Sequence, residues 1–317
     1  MSELVSIIIP CFNSSAILRE ALDCACQQTH RELDIIVVDG GSTDASYELA
    51  ERYPDSRVRL VRRAHRGACA ARNIGLAVAQ GKYLQFLDAN DVLHPDKIAL
   101  QVEALEQSED SSAIAYGPWW SFLKHASFLR GANFVTGRSY RPPMEWLFAS
   151  MAEGFYSPSH CWLIPRAVAD SAGQWDERLI QNQDGEYFSR VLEVATQVIW
   201  VPTAQAFYRQ ENALSSSQSH ETVDTHSLLL AADQIRDRMI AYLGYEPKRR
   251  RVISALYLRI LYSMDGSDLE LVNQVWRRIY GLGLPDGGTK VGSLSFDLLK
   301  RHMGWELAFK MKQLVRI

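Results

Sequence analysis

The sequence predicts an α/β fold with a mixed, mainly parallel sheet, because short apolar strands alternate with amphipathic helices over about the first hundred residues. Three strand-like segments end at turns rich in Asp, Asn or Gly: IIIPCFN (7–13), IIVVDGGSTD (35–44) and YLQFLDAND (83–91). In an open α/β sheet, ligands bind at the carboxyl ends of the strands. That edge is the predicted active site, and its carboxylates are Asp39, Asp88 and Asp91.

The first half of the chain supplies the strands and helices in turn. Strands are predicted at 5–9, 33–39, 58–61 and 83–88. Helices are predicted at 14–28, 42–52, 67–79 and 95–106, with Ser, Thr or Asp as caps and Pro95 in a first turn. The second strand is apolar almost throughout, as expected of a strand covered on both faces. This rhythm favours parallel strands joined by right-handed crossovers.

The remaining chain divides into an aromatic-rich middle and a helical end. Strand-like pieces at 112–116, 161–164, 197–201 and 204–208 are expected to extend the sheet. Beyond about residue 219 the pattern predicts only helices, at 223–243, 248–264, 269–280 and 303–316, after a polar linker or loop at 215–220. We therefore predict a catalytic domain at 1–220, with halves at 1–110 and 111–220, and a helical C-terminal region at 221–317.

Composition limits the classes of function. The 317 residues are 47% hydrophobic and 22% charged, with a formal net charge of −3, which is typical of a globular protein and argues against a nucleic-acid partner. No apolar run approaches the roughly 20 residues needed to cross a bilayer, and the N-terminus lacks a signal-peptide pattern. We expect a cytoplasmic protein. Its five scattered cysteines are expected to be buried thiols.

The loop after the first strand excludes two common nucleotide sites. It reads Pro-Cys-Phe-Asn and lacks the glycines of a dinucleotide fingerprint or a P-loop. It also lacks the glycine and basic residues that a sugar nucleotidyltransferase needs to bind a triphosphate. An acidic edge can hold a diphosphate through a bridging divalent cation. One aspartate at a strand end is usually a cap or turn former, but two such endings and a downstream candidate base favour a functional site.

Five segments, in order, resemble the family 2 glycosyltransferases of the GT-A fold. They are IIIPCFN, VVDGGSTD, GACAARNIGL (67–76), GKYLQFLDAND (81–91) and WDERLIQNQDGEYFSRVL (175–192). The family's usual forms read roughly P-x-Y/F-N, V-D-D-G-S-T-D, A-R-N-x-G, F-L-D-x-D-D and E/D-D-x-D/E-x-x-x-R. The resemblance covers about residues 4–210, and its specificity comes from the combination in this order.

The resemblance implies a role for each matching position. The nucleotide-sugar site would comprise Pro10, Phe12, Asn13, Asp39, Arg72, Asp88 and Ala89. Within it, Asp39 would accept a hydrogen bond from the base, and Arg72 with Asn73 would lie near that pocket or brace it. The cation, Mn²⁺ or Mg²⁺, would be bound among Asp88, Asn90 and Asp91.

Asp184 falls on the family's catalytic base. Sugar transfer requires the attacking hydroxyl to lose its proton, so a carboxylate must come within about 3 Å of it. Asp184 lies where a loop meets a helix, which can hold a carboxylate rigidly, although a plain N-cap is the alternative. Glu186 and Arg190 are spaced for a bracing ion pair. His160, before a strand on the acceptor side, is either an acceptor-side residue or structural.

Two positions depart from the family pattern. Gly40 stands where a second aspartate is usual, and Asn90 stands at the usual metal carboxylate. An amide oxygen is an uncharged ligand, so affinity for the cation should fall unless Asp88 or Asp91 compensates.

Two basic clusters have open interpretations. Arg62, Arg63, His65 and Arg66 could meet a diphosphate or an anionic acceptor, or form a solvated loop. The basic and apolar residues of 300–316 could lie on an anionic membrane surface, or dock onto the catalytic domain.

The resemblance implies an inverting transferase that moves one sugar from a nucleotide sugar, a UDP-sugar above all, to a hydroxyl of a glycan or lipid-linked acceptor. Bacterial surface-polysaccharide assembly is the setting that the family suggests. The Q-x-x-R-W signature of processive synthases is missing, which favours single transfer. The alternative is a catalytically impaired, nucleotide-sugar-binding regulatory protein, suggested by Gly40 and Asn90 and opposed by the retained Asp184.

Overall fold

The chain alternates strands and helices before it becomes wholly helical. A computed structural model describes residues 3–63, 67–122, 129–133, 137–154, 157–210, 224–244, 246–264, 267–284, 291 and 294–315. The first elements are β1 (Val5–Cys11), α1 (Leu18–Cys26), β2 (Leu33–Asp39), α2 (Ser46–Glu51), β3 (Val58–Arg62), α3 (Gly67–Val78), β4 (Tyr83–Phe86), β5 (Val92–Leu93) and α4 (Lys97–Gln107).

The middle of the chain is a mixture of short strands and helices. Its elements are β6 (Ala113–Tyr116), β7 (Trp119–Phe122), β8 (Leu129–Asn133), α5 (Met144–Glu153), a 3₁₀ turn at Ser159–Cys161, β9 (Trp162–Pro165), α6 (Arg166–Ala172), α7 (Gln183–Val194), β10 (Gln197–Trp200) and β11 (Ala206–Arg209). The end of the chain consists of α8 (Thr225–Leu243), α9 (Pro247–Ser263), α10 (Leu269–Leu282) and α11 (Leu294–Val315).

Seven strands form the main sheet in the order β10-β6-β9-β4-β1-β2-β3. Neighbouring strands are parallel except on either side of β9, which runs antiparallel to both β4 and β6. The apolar residues of β1 and β2 are buried on both faces of the sheet, as their near-continuous hydrophobicity predicts. The expected mixed, mainly parallel α/β fold is confirmed.

Strand pairing brings the predicted site residues to one edge. β1 lies between β2 and β4, and all three strands run in the same direction. The register places Cys11 opposite Asp39, and the Leu87 N–H continues the ladder to the Ile8 carbonyl. The loops that follow these strands therefore leave the sheet side by side.

A second sheet of four strands, in the order β5-β11-β7-β8, corrects one expectation. The strand predicted at 204–208 belongs to this sheet, pairing with β7 and β5, and does not extend the main one. The backbone at residue 117, just before β7, passes close to the backbone at Ala204. Only glycine fits there, because a Cβ at Gly117 would collide with the Ala204 carbonyl oxygen. Strands β7 and β8 and helices α5 and α6 were not predicted.

A polar group lies in the core beneath β4. Lys97 is fully buried and donates hydrogen bonds to Gln85 Oε1 and to the Trp162 carbonyl oxygen, the latter at 3.4 Å. Burial lowers the pKa of this ammonium group to about 7. Four of the five cysteines are also buried, Cys26 is half-buried, and all five are free thiols.

The C-terminal helices pack against α7 and α5 and against each other. Helix α8 packs on α7, and α9 packs on α5. Helix α11 begins at Leu294, earlier than predicted, and is kinked at Gly304, where φ is 78°. Among the described residues, no helix combines the length and apolarity that crossing a membrane requires. The polar stretch 215–220 lies outside the described residues, and the division near residue 220 stays a prediction.

One face of α11 is covered by its neighbours. Trp305 and Phe309 are buried, Phe309 contacts the ring of Trp276 in α10, and Phe296 contacts the ring of Tyr262 in α9. Leu298, Met303 and Leu307 are exposed instead. The apolar side of this helix thus docks onto the protein through its aromatic residues, and a smaller apolar strip faces outward.

Candidate active site

The loops after β1 and β2 interlock at the carboxyl edge of the sheet. The Asn13 N–H donates to Ser42 Oγ at 2.9 Å, and the Thr43 N–H donates to Asn13 Oδ1 at 2.8 Å. Asn13 adopts a left-handed conformation with φ of 48°, which Asn tolerates better than most residues. Pro10 is half-buried and Phe12 is exposed, so this pair presents an accessible surface beside the joined loops.

Asp39 is a buried residue whose carboxylate shapes its own loop. It accepts hydrogen bonds from the N–H groups of Gly41 at 3.1 Å and Ser42 at 3.2 Å. Arg62 Nε lies 3.7 Å from Asp39 Oδ2, and the Arg62 guanidinium lies over the Tyr47 ring. The carboxylate is therefore held rigidly. A contact with the base stays a prediction.

The loop after β4 presents one open carboxylate. Asp88 keeps 32% of its side chain exposed, and its Oδ1 accepts a hydrogen bond from Arg72 Nη2 at 2.7 Å. Ala89 is buried, Asn90 is half-buried, and the Asn90 carbonyl oxygen accepts a hydrogen bond from Arg209 Nε at 2.8 Å. Asp88 and Asn90 are thus the polar side chains of this loop that solvent reaches.

Arg72 joins the two halves of the site. Its buried guanidinium pairs with Asp88 at 2.7 Å and lies 3.8 Å from Asp184 Oδ1. It also donates to Gln183 Oε1 at 2.8 Å and lies 4.4 Å from the centre of the Trp175 ring. Burial opposes the charge, but the two carboxylates raise the pKa of Arg72 above its ordinary value. A fixed cation therefore sits between Asp88 and Asp184.

Asp184 is held from outside its own helix. It is the second residue of α7, whose N-cap is Asn182, so it does not occupy the N-cap position. Asp184 Oδ2 accepts a hydrogen bond from the Ser159 N–H at 2.9 Å. The side chain is almost buried and borders a cavity of about 80 Å³. This geometry gives one carboxylate a defined orientation beside an open space.

The structure places Asp91 in the interior, apart from Asp88 and Asn90. Asp91 Oδ2 lies 2.9 Å from His160 Nδ1, both side chains are fully buried, and Asp91 Oδ1 accepts a hydrogen bond from the Arg209 N–H. Burial raises the pKa of Asp91 above its usual range, although His160 opposes the shift. Because its carboxylate is enclosed, we do not retain Asp91 as a cation ligand. His160 instead ties the Asp88 loop to the segment that holds Asp184.

Two further predicted residues form a brace behind Asp184. Glu186 and Arg190 make a two-point ion pair, with contacts of 2.9 and 2.8 Å, and Arg238 of α8 adds a third contact to Glu186 at 3.2 Å. Arg190 also donates to the Ala172 carbonyl. These contacts fasten α7 to α6 and α8.

Asn73 anchors the loop that leads to α7. Its side chain donates to the Trp175 carbonyl at 2.9 Å and accepts from the Trp175 N–H at 2.7 Å. This two-way contact positions the Trp175 ring next to Arg72. Asn73 therefore braces the segment that carries Trp175.

The side chains present fit a divalent cation that is bound together with a diphosphate. Among the described residues, no group of three His, Cys, Asp or Glu could hold a metal ion by itself. Asp88 and Asn90 supply one charged and one neutral oxygen donor, and magnesium sites often combine one or two carboxylates with substrate phosphates and water. Of the basic cluster, Arg62 lies beside Asp39 and Arg63 is exposed. His65 and Arg66 lie outside the described residues.

Sequence reasoning missed several residues that shape this site. Trp175 and Gln183 both lie in the segment that carries Asp184, so their contacts with Arg72 could have been suspected from that motif. Ser159 contributes through its backbone N–H, which leaves no signature in the sequence. Arg259 of α9 lines the same cavity as Asp184, although it lies 75 positions along the chain, outside every motif.

Comparison with known proteins identifies the family. Residues 6–164 match the family described as Glycosyl transferase family 2. The chain belongs to this family. Its relatives include the amylovoran biosynthesis glycosyltransferase AmsB of Erwinia amylovora, 29% identical over 276 residues that cover 84% of this chain and 86% of AmsB. Another is the uncharacterized glycosyltransferase RP339 of Rickettsia prowazekii, 28% identical over 80% of this chain and 75% of that protein.

A solved structure supports the fold. The chain is similar to residues 1–349 of S. aureus TarS, crystallised in complex with UDP-GlcNAc, with a TM-score of 0.62 and 15% identity over 95% of this chain and 92% of that one. At this identity the likeness concerns the fold alone. The GT-A fold that the resemblance implied is therefore confirmed, and so is membership of glycosyltransferase family 2.

Proposed function

We propose that this glycosyltransferase moves one sugar from a nucleoside diphosphate sugar, a UDP-sugar in the first instance, to a hydroxyl group of a glycan or lipid-linked acceptor. The observation that carries the proposal is the position of Arg72, whose guanidinium lies within 4 Å of both the Asp88 and the Asp184 carboxylates, at 2.7 and 3.8 Å. The TarS complex with UDP-GlcNAc supports a uridine nucleotide.

Asp184 would act as the catalytic base in a single displacement. The acceptor oxygen forms a bond to the anomeric carbon while the bond from that carbon to the diphosphate oxygen breaks. Asp184 accepts the hydroxyl proton as the oxygen attacks. Because attack and departure occur on opposite faces of the sugar, the anomeric configuration inverts. The hydrogen bond from the Ser159 N–H would orient Asp184 for this step.

The donor would lie along the loops after β1, β2 and β4. Pro10, Phe12 and Asn13 would line the base, and Asp39 would accept a hydrogen bond from it. Asp88 and Asn90 would hold a divalent cation together with the diphosphate, and the bound cation would neutralise charge on the leaving group. The positive charge of Arg72 would offset the repulsion between the Asp88 and Asp184 carboxylates.

The alternative is a nucleotide-binding protein without turnover. Isothermal titration with UDP, with and without Mn²⁺, followed by hydrolysis assays over a panel of nucleotide sugars, separates the two. We expect Mn²⁺-enhanced UDP binding and slow hydrolysis of at least one UDP-sugar. UDP binding with no turnover of any donor or acceptor mixture would favour the alternative. Failure to bind UDP or any other nucleoside diphosphate would contradict both.

Surface-polysaccharide synthesis at the cytoplasmic face of a membrane is the proposed setting. The name of AmsB refers to the biosynthesis of amylovoran, and a transferase that uses lipid-linked acceptors must meet the bilayer. The outward strip of α11 offers Leu298, Met303 and Leu307 beside exposed Arg301 and Lys310, which suits an anionic lipid surface. Co-sedimentation with anionic but not with neutral vesicles is expected, and equal sedimentation would contradict this contact.

A further inference from the structure

The cavity beside Asp184 is built jointly by the catalytic domain and the C-terminal helices. Its walls come from α5, α7, α8 and α9, and Asp184 and Arg259 both line it. At about 80 Å³ it is several times larger than the roughly 10–15 Å³ minimum for one water molecule. It can therefore hold one polar substituent of a sugar.

Arg259 places a positive charge in this wall. Its one described hydrogen bond goes from Nη2 to the Met151 carbonyl oxygen at 3.2 Å, and no carboxylate of the described residues pairs with it. Burial accordingly lowers the pKa of Arg259 below its ordinary value. A guanidinium has five N–H donors, so most of them are left for another partner.

Three neighbouring arginines differ from Arg259, because each pairs with a carboxylate. Arg249, near the start of the same helix, pairs with Glu145 at 2.6 Å. On adjacent helices, Arg278 pairs with Asp233 and Arg238 pairs with Glu186. These three arginines have acidic partners within the protein, whereas Arg259 lines a cavity.

Two indole rings form part of the same wall. Trp146 and Trp162 line the cavity, and the Nε1 atom of each is buried without a hydrogen-bond partner among the described residues. An oxyanion bound in the cavity would pair with the guanidinium charge. The cavity wall thus combines one positive charge with two aromatic rings.

We propose that this cavity is an acceptor subsite that binds an anionic group, a carboxylate or a phosphate, carried by the acceptor near the hydroxyl that Asp184 activates. The inference rests on the proposed function and narrows its acceptor to an acidic or phosphorylated glycan. It also assigns a role to the helical C-terminal region, because Arg259 of α9 would select the acceptor. Arg259 is a binding residue here, while Asp184 performs the proton transfer.

Binding to the UDP-loaded protein tests the subsite, since UDP fills the donor site and leaves the acceptor side free. The probes are methyl β-D-glucoside, its 6-carboxylate (methyl β-D-glucuronide) and its 6-phosphate, each titrated by calorimetry or ligand-observed NMR. We expect at least one charged probe to bind tenfold or more tightly than the neutral one. A preference for the carboxylate or for the phosphate identifies which anion the site takes.

Three variants connect that preference to Arg259. Arg259→Met should abolish it, and Arg259→Lys should retain part of it, because the charge remains but the planar fork is lost. Arg251→Met, on an exposed position of the same helix, is the matched control and should bind all probes like the wild type. UDP titration of each variant checks its fold and its donor site.

Two results would overturn the subsite. One is equal affinity of the wild type for the three probes, or no binding of either charged probe. The other is an anion preference that survives in folded Arg259→Met. Should that variant fail to fold, Arg259→Lys and the wild-type comparison still decide. If the wild type does not bind UDP, the proposed function itself is refuted, so the two failures are distinguishable.

Discussion

Replacement of Asp184 by Asn removes the proposed base with little change in shape. The amide oxygen of Asn can accept the same hydrogen bond from the Ser159 N–H, which is 2.9 Å from Asp184 Oδ2. Arg72 still pairs with Asp88 at 2.7 Å, so no uncompensated buried charge remains. The variant should therefore fold, with a melting temperature within about 4 °C of the wild type.

The size of the activity loss follows from the role of a general base. Such groups contribute about 100- to 10,000-fold to the rate, which corresponds to about 3–5 kcal/mol of transition-state stabilisation. An amide cannot take a proton at neutral pH, so Asp184→Asn should lose all of that contribution. Since the proposed base acts on the acceptor and not on the nucleotide, UDP affinity should change by less than about threefold.

The assay is steady-state transfer with purified protein, combined with UDP titration. Asp176→Asn serves as the matched control, because Asp176 lies shortly before α7, contacts Arg178 and Gln234, and does not line the cavity. It should keep kcat within about threefold. More than about a tenth of wild-type transfer in Asp184→Asn would show that another group takes the proton.

Three further predictions concern the donor site and the core. Asp39→Ala should weaken UDP binding by about 1.5–3 kcal/mol, the range for a hydrogen bond to a charged group, and unchanged affinity in calorimetry would leave Asp39 only its turn-forming role. Asn90→Asp should lower the Mn²⁺ concentration for half-maximal activity and Asp88→Ala should raise it, whereas full wild-type activity in excess EDTA would show that no cation is needed. The pKa of Lys97 is about 7 in the folded protein and about 10.5 in the unfolded chain, so the unfolded chain binds more protons between these pH values. The free energy of unfolding of the wild type should therefore rise with pH in this range relative to that of Lys97→Met. Parallel pH profiles of the two proteins in denaturant titrations would argue against a lowered Lys97 pKa.

The parts of the fold that depend on local pattern could be predicted from the sequence. Strands β1, β2 and β4 are short apolar runs that end at polar turns, so the alignment of their ends at one edge follows from the pattern alone. Helix α3 and helix α7 carry strong amphipathic patterns beside recognisable motifs. By contrast, β7 and β8 include Trp, Ser, Arg and Gly without clear alternation, and no pattern distinguishes a second sheet from an extension of the first.

Contacts between distant segments could not be predicted from the sequence. The Asp91–His160 pair joins positions 69 apart, and nothing local shows that Asp91 turns inward while Asp88 stays open. The approach of Arg72 to Asp184 was likewise hidden, although both residues lie in recognised motifs. Arg259 belongs to no motif, and its proposed role depends on a cavity that forms only when α9 packs against α5.

The anomeric configuration of the first product tests most directly whether Asp184 activates the acceptor for a single displacement at the anomeric carbon. Such a displacement inverts that carbon. Time-resolved ¹H NMR of the reaction, with the UDP-sugar found in the donor panel, should show a β-configured product first when the donor is α-linked. A first product with retained α configuration would contradict direct attack by the acceptor and would require a different role for Asp184.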